Sequence, residues 1–183
     1  MTYATDSILQ HCTAQCRIAT PLGTLLLART AHGLAGAWFD EQKHHPAAIA
    51  APERGDDPLL LAAAQQLRSY FAGTSDTFDV ALDLQGTAFQ RSVWRELLLI
   101  EPGTTCSYGA IARRLGRASA SRAVGSAVGR NPVSIIVPCH RVVGSSGSLT
   151  GYAGGLERKT SPLRIEADGR ARRGHGARQL ELH

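Results

Sequence analysis

The spacing of apolar side chains changes once along this chain, near Gln85-Gly86. Before that point, short apolar runs alternate with turn residues, a pattern typical of strands. After it, apolar residues recur at helical spacing. This change predicts an α+β protein, with a small sheet-plus-helix domain over residues 1–85 and a mainly helical domain over residues 86–169. Residues 170–183, rich in arginine and glycine, are expected to form a disordered basic tail.

The front part carries signals for two kinds of element. Two apolar runs, residues 23–28 and 34–39, flank the turn at His32-Gly33 and predict a β-hairpin. Asp57-Pro58 pairs an N-cap residue with a proline suited to the first helical turn, so a helix is expected from there to about Gly73. Apolar and polar residues alternate over residues 78–84, which predicts a half-buried strand.

The back part contains the outline of a helix-turn-helix. Ser107 can cap a short helix that ends at Gly116, and a second short helix is expected over about residues 121–129. The second helix consists mostly of small residues, which would let its backbone approach a partner closely. That property favours shape-led docking in a minor groove over base reading in the major groove. The same pattern also fits a helix packed tightly on its neighbour.

Charge is distributed unevenly over the 183 residues. Residues 1–90 carry a net charge of −4, residues 91–141 one of +6 and residues 142–183 one of +3. A basic middle segment indicates contact with a polyanion such as nucleic acid, although arginines that merely favour solubility would look the same. No apolar run approaches the roughly 18 residues of a membrane span, and Met1–Gln10 lacks the pattern of a signal peptide. We therefore expect a cytoplasmic protein.

Cys139 is the strongest candidate for a reactive side chain. The four cysteines are expected to be free thiols, since no secretion signal is present. Cys139 follows Pro138 at the end of residues 135–137, a predicted buried strand. His140 could take the thiol proton and Arg141 could add positive potential, both of which favour the thiolate. On a strand, however, Cys139 and His140 would point to opposite faces, and a buried structural thiol remains the alternative.

A longer string of residues carries a family resemblance. It comprises Ser107-Tyr108-Gly109, Arg122-Ala123-Val124-Gly125, Asn131-Pro132, residues 135–144 around Pro138-Cys139-His140-Arg141, and Gly151-Tyr152-Ala153-Gly154-Gly155-Leu156. Together they resemble the methylated-DNA–protein-cysteine methyltransferases (O6-alkylguanine-DNA alkyltransferases). The match covers about residues 86–166 and implies a winged helix-turn-helix-like DNA-binding domain. Residues 20–23 and 70–73 resemble the family's ribonuclease-H-like N-terminal domain more loosely.

The resemblance implies a role for each catalytic candidate. Cys139 would be the nucleophile that accepts the alkyl group, and His140 the base that activates it through a water molecule. Glu166 would be the carboxylate that orients and polarises the histidine. Asn131 would be the hinge between the recognition helix and the active-site turn.

The resemblance also implies a DNA-binding surface. The helix over residues 121–130 would enter the minor groove, where Arg122 fills the gap left by a flipped nucleotide. Tyr108 would help to rotate the base and then contact it, and the backbone near Val142 and Ala153 would meet the guanine edge. The residues implied to contact substrate or DNA are Tyr108, Arg122, Ala123, Arg130, Arg141, Val142, Tyr152 and Ala153.

The implied reaction is a transfer of a methyl or larger alkyl group from O6-alkylguanine, and from O4-alkylthymine, in double-stranded DNA to Cys139. The thioether product has no good leaving group, so each molecule would react once. No organic cofactor is required and a monomer is expected. No metal is predicted, because His11-Cys12 and Cys16 lack the further ligands that a structural zinc site needs.

Two other functions remain open, the first of them because of Pro162. It falls inside the predicted last helix, residues 157–166, where proline costs about 3 kcal/mol. The helix would avoid this cost by beginning nearer Thr160 or Ser161, and Glu166 would then be displaced. A weakened protein of this kind would bind alkylated DNA without reacting. A cysteine hydrolase using Cys139 and His140 is a third possibility, and it would turn over repeatedly without DNA.

Overall fold

The computed structural model of the chain describes residues 10–46, 48–149 and 155–180, with the side chains of residues 173–180 left out. Its strands are β1 (Ala14–Thr20), β2 (Gly23–Arg29), β3 (Leu34–Phe39), β4 (Cys106–Ser107) and β5 (Val142–Val143). Its α-helices are α1 (Pro58–Phe71), α2 (Ala88–Leu98), α3 (Tyr108–Arg114), α4 (Ser121–Gly129) and α5 (Glu157–Leu180). Short 3₁₀ turns occupy Ala118–Ala120 and Cys139–Arg141. The expected mixed α+β class is confirmed.

The front sheet is an antiparallel meander in the order β1-β2-β3. The predicted hairpin is confirmed, with Leu25 opposite Phe39 and Leu27 opposite Ala37. Strand β1 was not predicted, because its polar residues interrupt a simple alternation. Helix α1 packs on this sheet. Its first turn is capped by Asp57, whose carboxylate accepts hydrogen bonds from the backbone N–H groups of Leu59 at 3.0 Å and Leu60 at 3.1 Å.

The strand predicted over residues 78–84 is reduced to a single bridge. Leu82 pairs with Leu34 at the start of β3. Farther up the segment, the Gln66 side chain binds both backbone groups of Asp79: its Oε1 accepts from the N–H at 2.8 Å, and its Nε2 donates to the carbonyl at 3.2 Å. A side chain of α1 thus satisfies the backbone that a neighbouring strand would otherwise pair.

The back part forms the two helices that the sequence predicts, α3 and α4. Ser107 caps α3 by accepting a hydrogen bond from the Ala110 N–H at 3.2 Å. Helices α2 and α3 both pack against α4. The Trp94 indole of α2 is buried and donates to the Ala127 carbonyl at 2.8 Å, which ties α4 to the helix behind it.

The segment between α4 and Cys139 differs from the predicted buried strand. Ala37 of β3 donates its N–H to the Pro132 carbonyl at 2.9 Å and accepts from the Ser134 N–H at 2.9 Å. The chain then turns back, with Ile135 at a positive φ of 71° and the Val137 N–H donating to the Val133 carbonyl at 3.0 Å. Residues 135–137 are buried, but as a turn, because pairing with the sheet edge ends at residue 134.

Helix α5 is longer than predicted and does not avoid Pro162. It begins at Glu157, so Pro162 lies inside it and the Arg158 carbonyl lacks its usual N–H donor. It also continues through residues 170–180, where a disordered tail was expected. Arg170 donates to the Gly103 carbonyl at 3.4 Å, so the turn after residue 169 has a packing partner. Within the described ranges, no helix is long and apolar enough to cross a membrane.

Candidate active site

Cys139 begins a 3₁₀ turn and is almost fully buried, with 5% of its surface exposed. Its backbone N–H donates to the Val137 carbonyl at 2.8 Å. Successive side chains on a 3₁₀ turn are rotated by about 120°, whereas those on a strand are opposed. The strand on which Cys139 and His140 would point to opposite faces is therefore replaced by a turn at this position.

Asn131 links the end of α4 to the cysteine. Its buried side-chain amide donates to the Val137 carbonyl at 2.8 Å, the Val133 carbonyl at 3.3 Å and the Cys139 Sγ at 3.1 Å. Its Oδ1 accepts from the Val133 N–H at 3.0 Å. One side chain thus fixes the returning segment and reaches the sulfur.

His140 has no exposed surface and contacts Glu166 through one ring nitrogen. Its Nε2 lies 2.8 Å from Glu166 Oε1, while its Nδ1 has no hydrogen-bond partner among the described residues. With the ring proton on Nε2, Nδ1 carries a lone pair and can accept a proton. Burial lowers the pKa of His140, against the opposing effect of the hydrogen bond and charge of Glu166. The neutral, proton-accepting ring is therefore favoured near neutral pH.

Glu166 is buried and bound on both oxygens. Besides His140, Oε1 accepts from the Tyr70 hydroxyl at 2.8 Å and from Arg141 Nη2 at 2.9 Å. Oε2 accepts from Arg141 Nε and from the Gly103 N–H, both at 3.0 Å. Burial opposes ionisation, but the hydrogen bonds from His140 and Arg141 outweigh it and hold the pKa of Glu166 well below its usual range. The displacement expected from Pro162 does not occur.

Arg141, for which the resemblance implies contact with DNA, lies in the interior of the protein. The residue is only 6% exposed, and its guanidinium is engaged by Glu166 and by the Ile100 carbonyl. Its donors are used inside the protein because the buried carboxylate needs a paired cation. Arg141 therefore stabilises the histidine–carboxylate pair through its hydrogen bonds to Glu166, and those donors are not free to bind a phosphate.

Two further side chains at this site were not predicted. Tyr70 reaches Glu166 from helix α1, and Lys159 of α5 is fully buried with its Nζ 5.9 Å from the centre of the Tyr108 ring. Burial lowers the pKa of Lys159, and the charge of Cys139 acts in the opposite direction, which places the two groups within electrostatic reach. Tyr70 lies within residues 70–73, which resemble the family. Nothing in the sequence distinguishes Lys159 from an ordinary surface lysine.

An open cleft of about 560 Å³ lies between α3 and α4. Tyr108 and Arg122 line it, as do Ser107, Gly109, Arg113, Ser121, Gly125 and Ser145. Burial, and then the charge of Cys139, raises the pKa of Tyr108, so the phenol keeps its proton close to the sulfur. A Cβ at Gly125 would lie 3.7 Å from the Tyr108 ring, an ordinary van der Waals contact, so this helix approaches the tyrosine closely without excluding alanine.

The remaining predicted contacts divide between surface and interior. Arg122 and Ala123 are exposed on α4, and Arg130, the residue just after α4, is exposed and hydrogen-bonded to Ser126 of that helix. The Val142 side chain is fully buried, and its backbone pairs with Cys106 between β5 and β4. Tyr152 and Ala153 lie outside the described residues. Within those residues, no cluster of three or more His, Cys, Asp or Glu side chains could hold a metal ion.

Two family models match the chain in sequence. The DNA-binding domain of 6-O-methylguanine DNA methyltransferase matches residues 88–168, and its ribonuclease-like domain matches residues 17–84. A methylated-DNA–protein-cysteine methyltransferase of Mycobacterium tuberculosis is 48% identical over 150 residues, covering 81% of this chain and 89% of the relative. One from Methanosarcina acetivorans is 46% identical over 149 residues, covering 80% and 94%.

Solved structures of similar proteins indicate the same family as the sequence matches. The M. tuberculosis O6-methylguanine methyltransferase superposes with a TM-score of 0.78 at 45% identity, over 85% of this chain and 93% of that one. The M. tuberculosis protein in complex with DNA gives a TM-score of 0.77 at 46% identity, over 86% and 94%. The sequence matches span both halves of the chain, and this chain therefore belongs to the methylated-DNA–protein-cysteine methyltransferase family.

Proposed function

We propose that this protein repairs DNA by transferring an alkyl group from O6-alkylguanine, and from O4-alkylthymine, to its own Cys139. The observation that carries the proposal is the buried His140, the residue that follows Cys139, which pairs with Glu166 through Nε2 and whose Nδ1 has no hydrogen-bond partner among the described residues. A nucleophile, a base and a group that orients the base are thereby assembled on one turn and one helix.

The thiol first gives its proton to His140 Nδ1, through a water molecule. The Cys139 thiolate then attacks the alkyl carbon, a carbon–sulfur bond forms, and the carbon–oxygen bond to the base breaks. Its electron pair returns to the guanine ring, which takes up one proton. Tyr108 lines the cleft and its phenol stays protonated, so it can offer a hydrogen bond to the ring as this charge develops. The thiol's proton balances the one that guanine gains, and the product is a thioether plus unmodified guanine.

Access to the alkyl group requires the base to leave the helix stack, because the lesion lies within the duplex. Helix α4 presents the exposed Arg122 and Ala123 beside the cleft, and the charge of residues 91–141 is strongly positive. These features fit minor-groove docking by α4, with Arg122 taking the place of the flipped nucleotide. The M. tuberculosis relative in complex with DNA supports double-stranded DNA as the partner.

We also infer that the two domains have different roles and that the protein acts as a monomer in the cytoplasm. Residues 86–169 carry the nucleophile, the base and the DNA-facing helix. Residues 1–85 supply the sheet edge at Ala37 that holds residues 132–134. Cys139, His140 and Glu166 belong to the same chain, so one copy supplies all three members of the proposed catalytic set.

The test is the stoichiometry of repair on a duplex containing one O6-methylguanine. Restored guanine should rise to one per protein molecule and then stop. Cys139→Ser is the matched control, since it should bind the duplex and restore no guanine. Repair that continues well beyond one per protein would indicate a hydrolase. Binding without repair by the unaltered protein would indicate a non-catalytic binder of damaged DNA.

A further inference from the structure

Tyr70 joins the front domain to the proposed catalytic group of the back domain. It lies near the end of α1, has no exposed surface, and donates its hydroxyl hydrogen to Glu166 Oε1 at 2.8 Å. The same hydroxyl is 3.5 Å from His140 Nε2 and 3.4 Å from the Pro162 carbonyl. The hydroxyl is thus closest to the oxygen that also accepts from His140.

We propose that Tyr70 is a positioning residue for alkyl transfer, whose hydroxyl holds Glu166 in place and limits how strongly the carboxylate attracts a proton to His140. This inference rests on the proposed function. Tyr70 has no contact with Cys139 or with the cleft beside Tyr108 in the described contacts, so it would act only through Glu166 and His140.

The hydroxyl is suited to act as a constant donor. Burial, and then the charge of Glu166, raises the pKa of Tyr70 well above its usual value, so the phenol remains protonated throughout the working pH range. Its hydrogen bond spreads the negative charge of Oε1, and a less concentrated charge stabilises protonated His140 less. It also restrains rotation of the carboxylate, which would otherwise loosen the histidine.

Several other charges face this pair and are retained when the hydroxyl is removed. Arg141 comes from the same 3₁₀ turn as His140, and Lys159 comes from α5, and both disfavour a proton on the histidine. Asp76, beyond the end of α1, acts on the tyrosine itself. The titratable and charged groups around His140 and Tyr70 are Glu166, Arg141, Lys159, Cys139 and Asp76. A variant that removes only the Tyr70 hydroxyl therefore tests its hydrogen bond to Glu166 while the neighbouring charges stay the same.

The sign of the effect follows from this arrangement. Tyr70→Phe removes a donor from Oε1, so the carboxylate charge acts more strongly on His140 and raises its pKa. A higher pH is then needed to keep the histidine neutral, and the acid limb of the rate profile moves upward. We expect its midpoint to rise by about half a pH unit or more. A half-unit shift alone lowers the rate by at most about threefold, and the loosened carboxylate should bring the fall in transfer rate at neutral pH to about tenfold.

The experiment measures single-turnover methyl transfer from an O6-methylguanine duplex as a function of pH, together with duplex affinity. Tyr70→Phe should shift the acid midpoint and lower the rate while leaving affinity unchanged. Leu67→Val is the matched control, because Leu67 is buried on the same helix without polar contacts at the site. It should cost thermal stability and leave the midpoint unchanged. Equal midpoints for Tyr70→Phe and the unaltered protein, or equal shifts in both variants, would overturn the inference.

A second variant keeps the test decisive if Tyr70→Phe folds poorly. Site-specific replacement of Tyr70 by fluorotyrosine retains the shape but makes the phenol a stronger donor, so the acid midpoint should move downward. No shift, or an upward one, would contradict the proposed role. Failure of the proposed function itself looks different, because the unaltered protein would then transfer no methyl group at any pH.

Discussion

Replacing Glu166 with glutamine should destabilise the protein more than any exposed charge substitution would. In the native structure Oε2 accepts from Arg141 Nε and from the Gly103 N–H. A glutamine that keeps its oxygen toward His140 turns its NH₂ group toward those two donors. Arg141 then becomes a buried cation without an anionic partner, and two donors lose their acceptor.

The expected magnitude follows from the burial of this ion pair. Glu166 is 1% exposed and Arg141 6%, so solvent can replace little of the lost interaction. Breaking such a pair by removing one partner costs about 3–5 kcal/mol. For a chain of this length each kcal/mol lowers Tm by about 2–4 °C, so Glu166→Gln should lower Tm by about 6–20 °C.

Thermal and urea unfolding followed by circular dichroism measure this directly. The matched control is Asp40→Asn, which breaks the 2.8 Å pair with Arg17 on the surface, where both side chains are more than 40% exposed. That change should cost no more than about 1 kcal/mol. Adding Arg141→Met to Glu166→Gln removes the unpaired charge, so the double variant should be more stable than the sum of the single effects indicates. A Glu166→Gln protein with the same Tm as the Asp40→Asn control would contradict this expectation.

Three further outcomes are expected. Asn131→Ala should lower the free energy of unfolding by about 1–3 kcal/mol in urea titration, because the Val133 N–H and the Val137 carbonyl lose their partner. Arg122→Ala should slow repair of a methylated duplex by at least about tenfold in single-turnover assays, yet change stability by less than about 0.5 kcal/mol, because this side chain is exposed. In acid titration, stability should decline below about pH 6.5, because unfolded His140 takes up a proton that the buried ring resists. It should decline again below about pH 4.3, when Glu166 of the unfolded chain becomes protonated; Glu166→Gln should make the second decline shallower.

Short-range signals account for the parts of the fold that could be predicted. Asp57 and Ser107 cap the helices that they were expected to cap, and each does so through hydrogen bonds within three residues. The His32-Gly33 turn lies between the two predicted strands of the hairpin. These features depend on neighbours in the chain, so the sequence pattern suffices to locate them. The positions of Cys139, His140 and Glu166 follow from the family resemblance, and the structure brings the last two together.

The errors arose where distant contacts determine the local structure. Residues 135–137 are as apolar as a strand, but the next N–H group along that edge of β3, that of Phe39, donates to Gln42 Oε1 at 2.9 Å, and the segment turns back after Ser134. The sequence around Arg141 does not indicate its partner, the Glu166 carboxylate, because that residue lies 25 positions away. The Tyr70–Glu166 bond spans 96 residues, and no periodicity in the sequence indicates a contact at that separation.

Cys139 is proposed to become the permanent carrier of the alkyl group. Intact-mass measurement after mixing the protein with a duplex carrying one O6-methylguanine tests this most directly. The proposed function predicts a gain of one methylene per protein, mapped by peptide analysis to Cys139, that does not increase with excess duplex. An unchanged mass in the presence of bound duplex, or a modification at another residue, would contradict it.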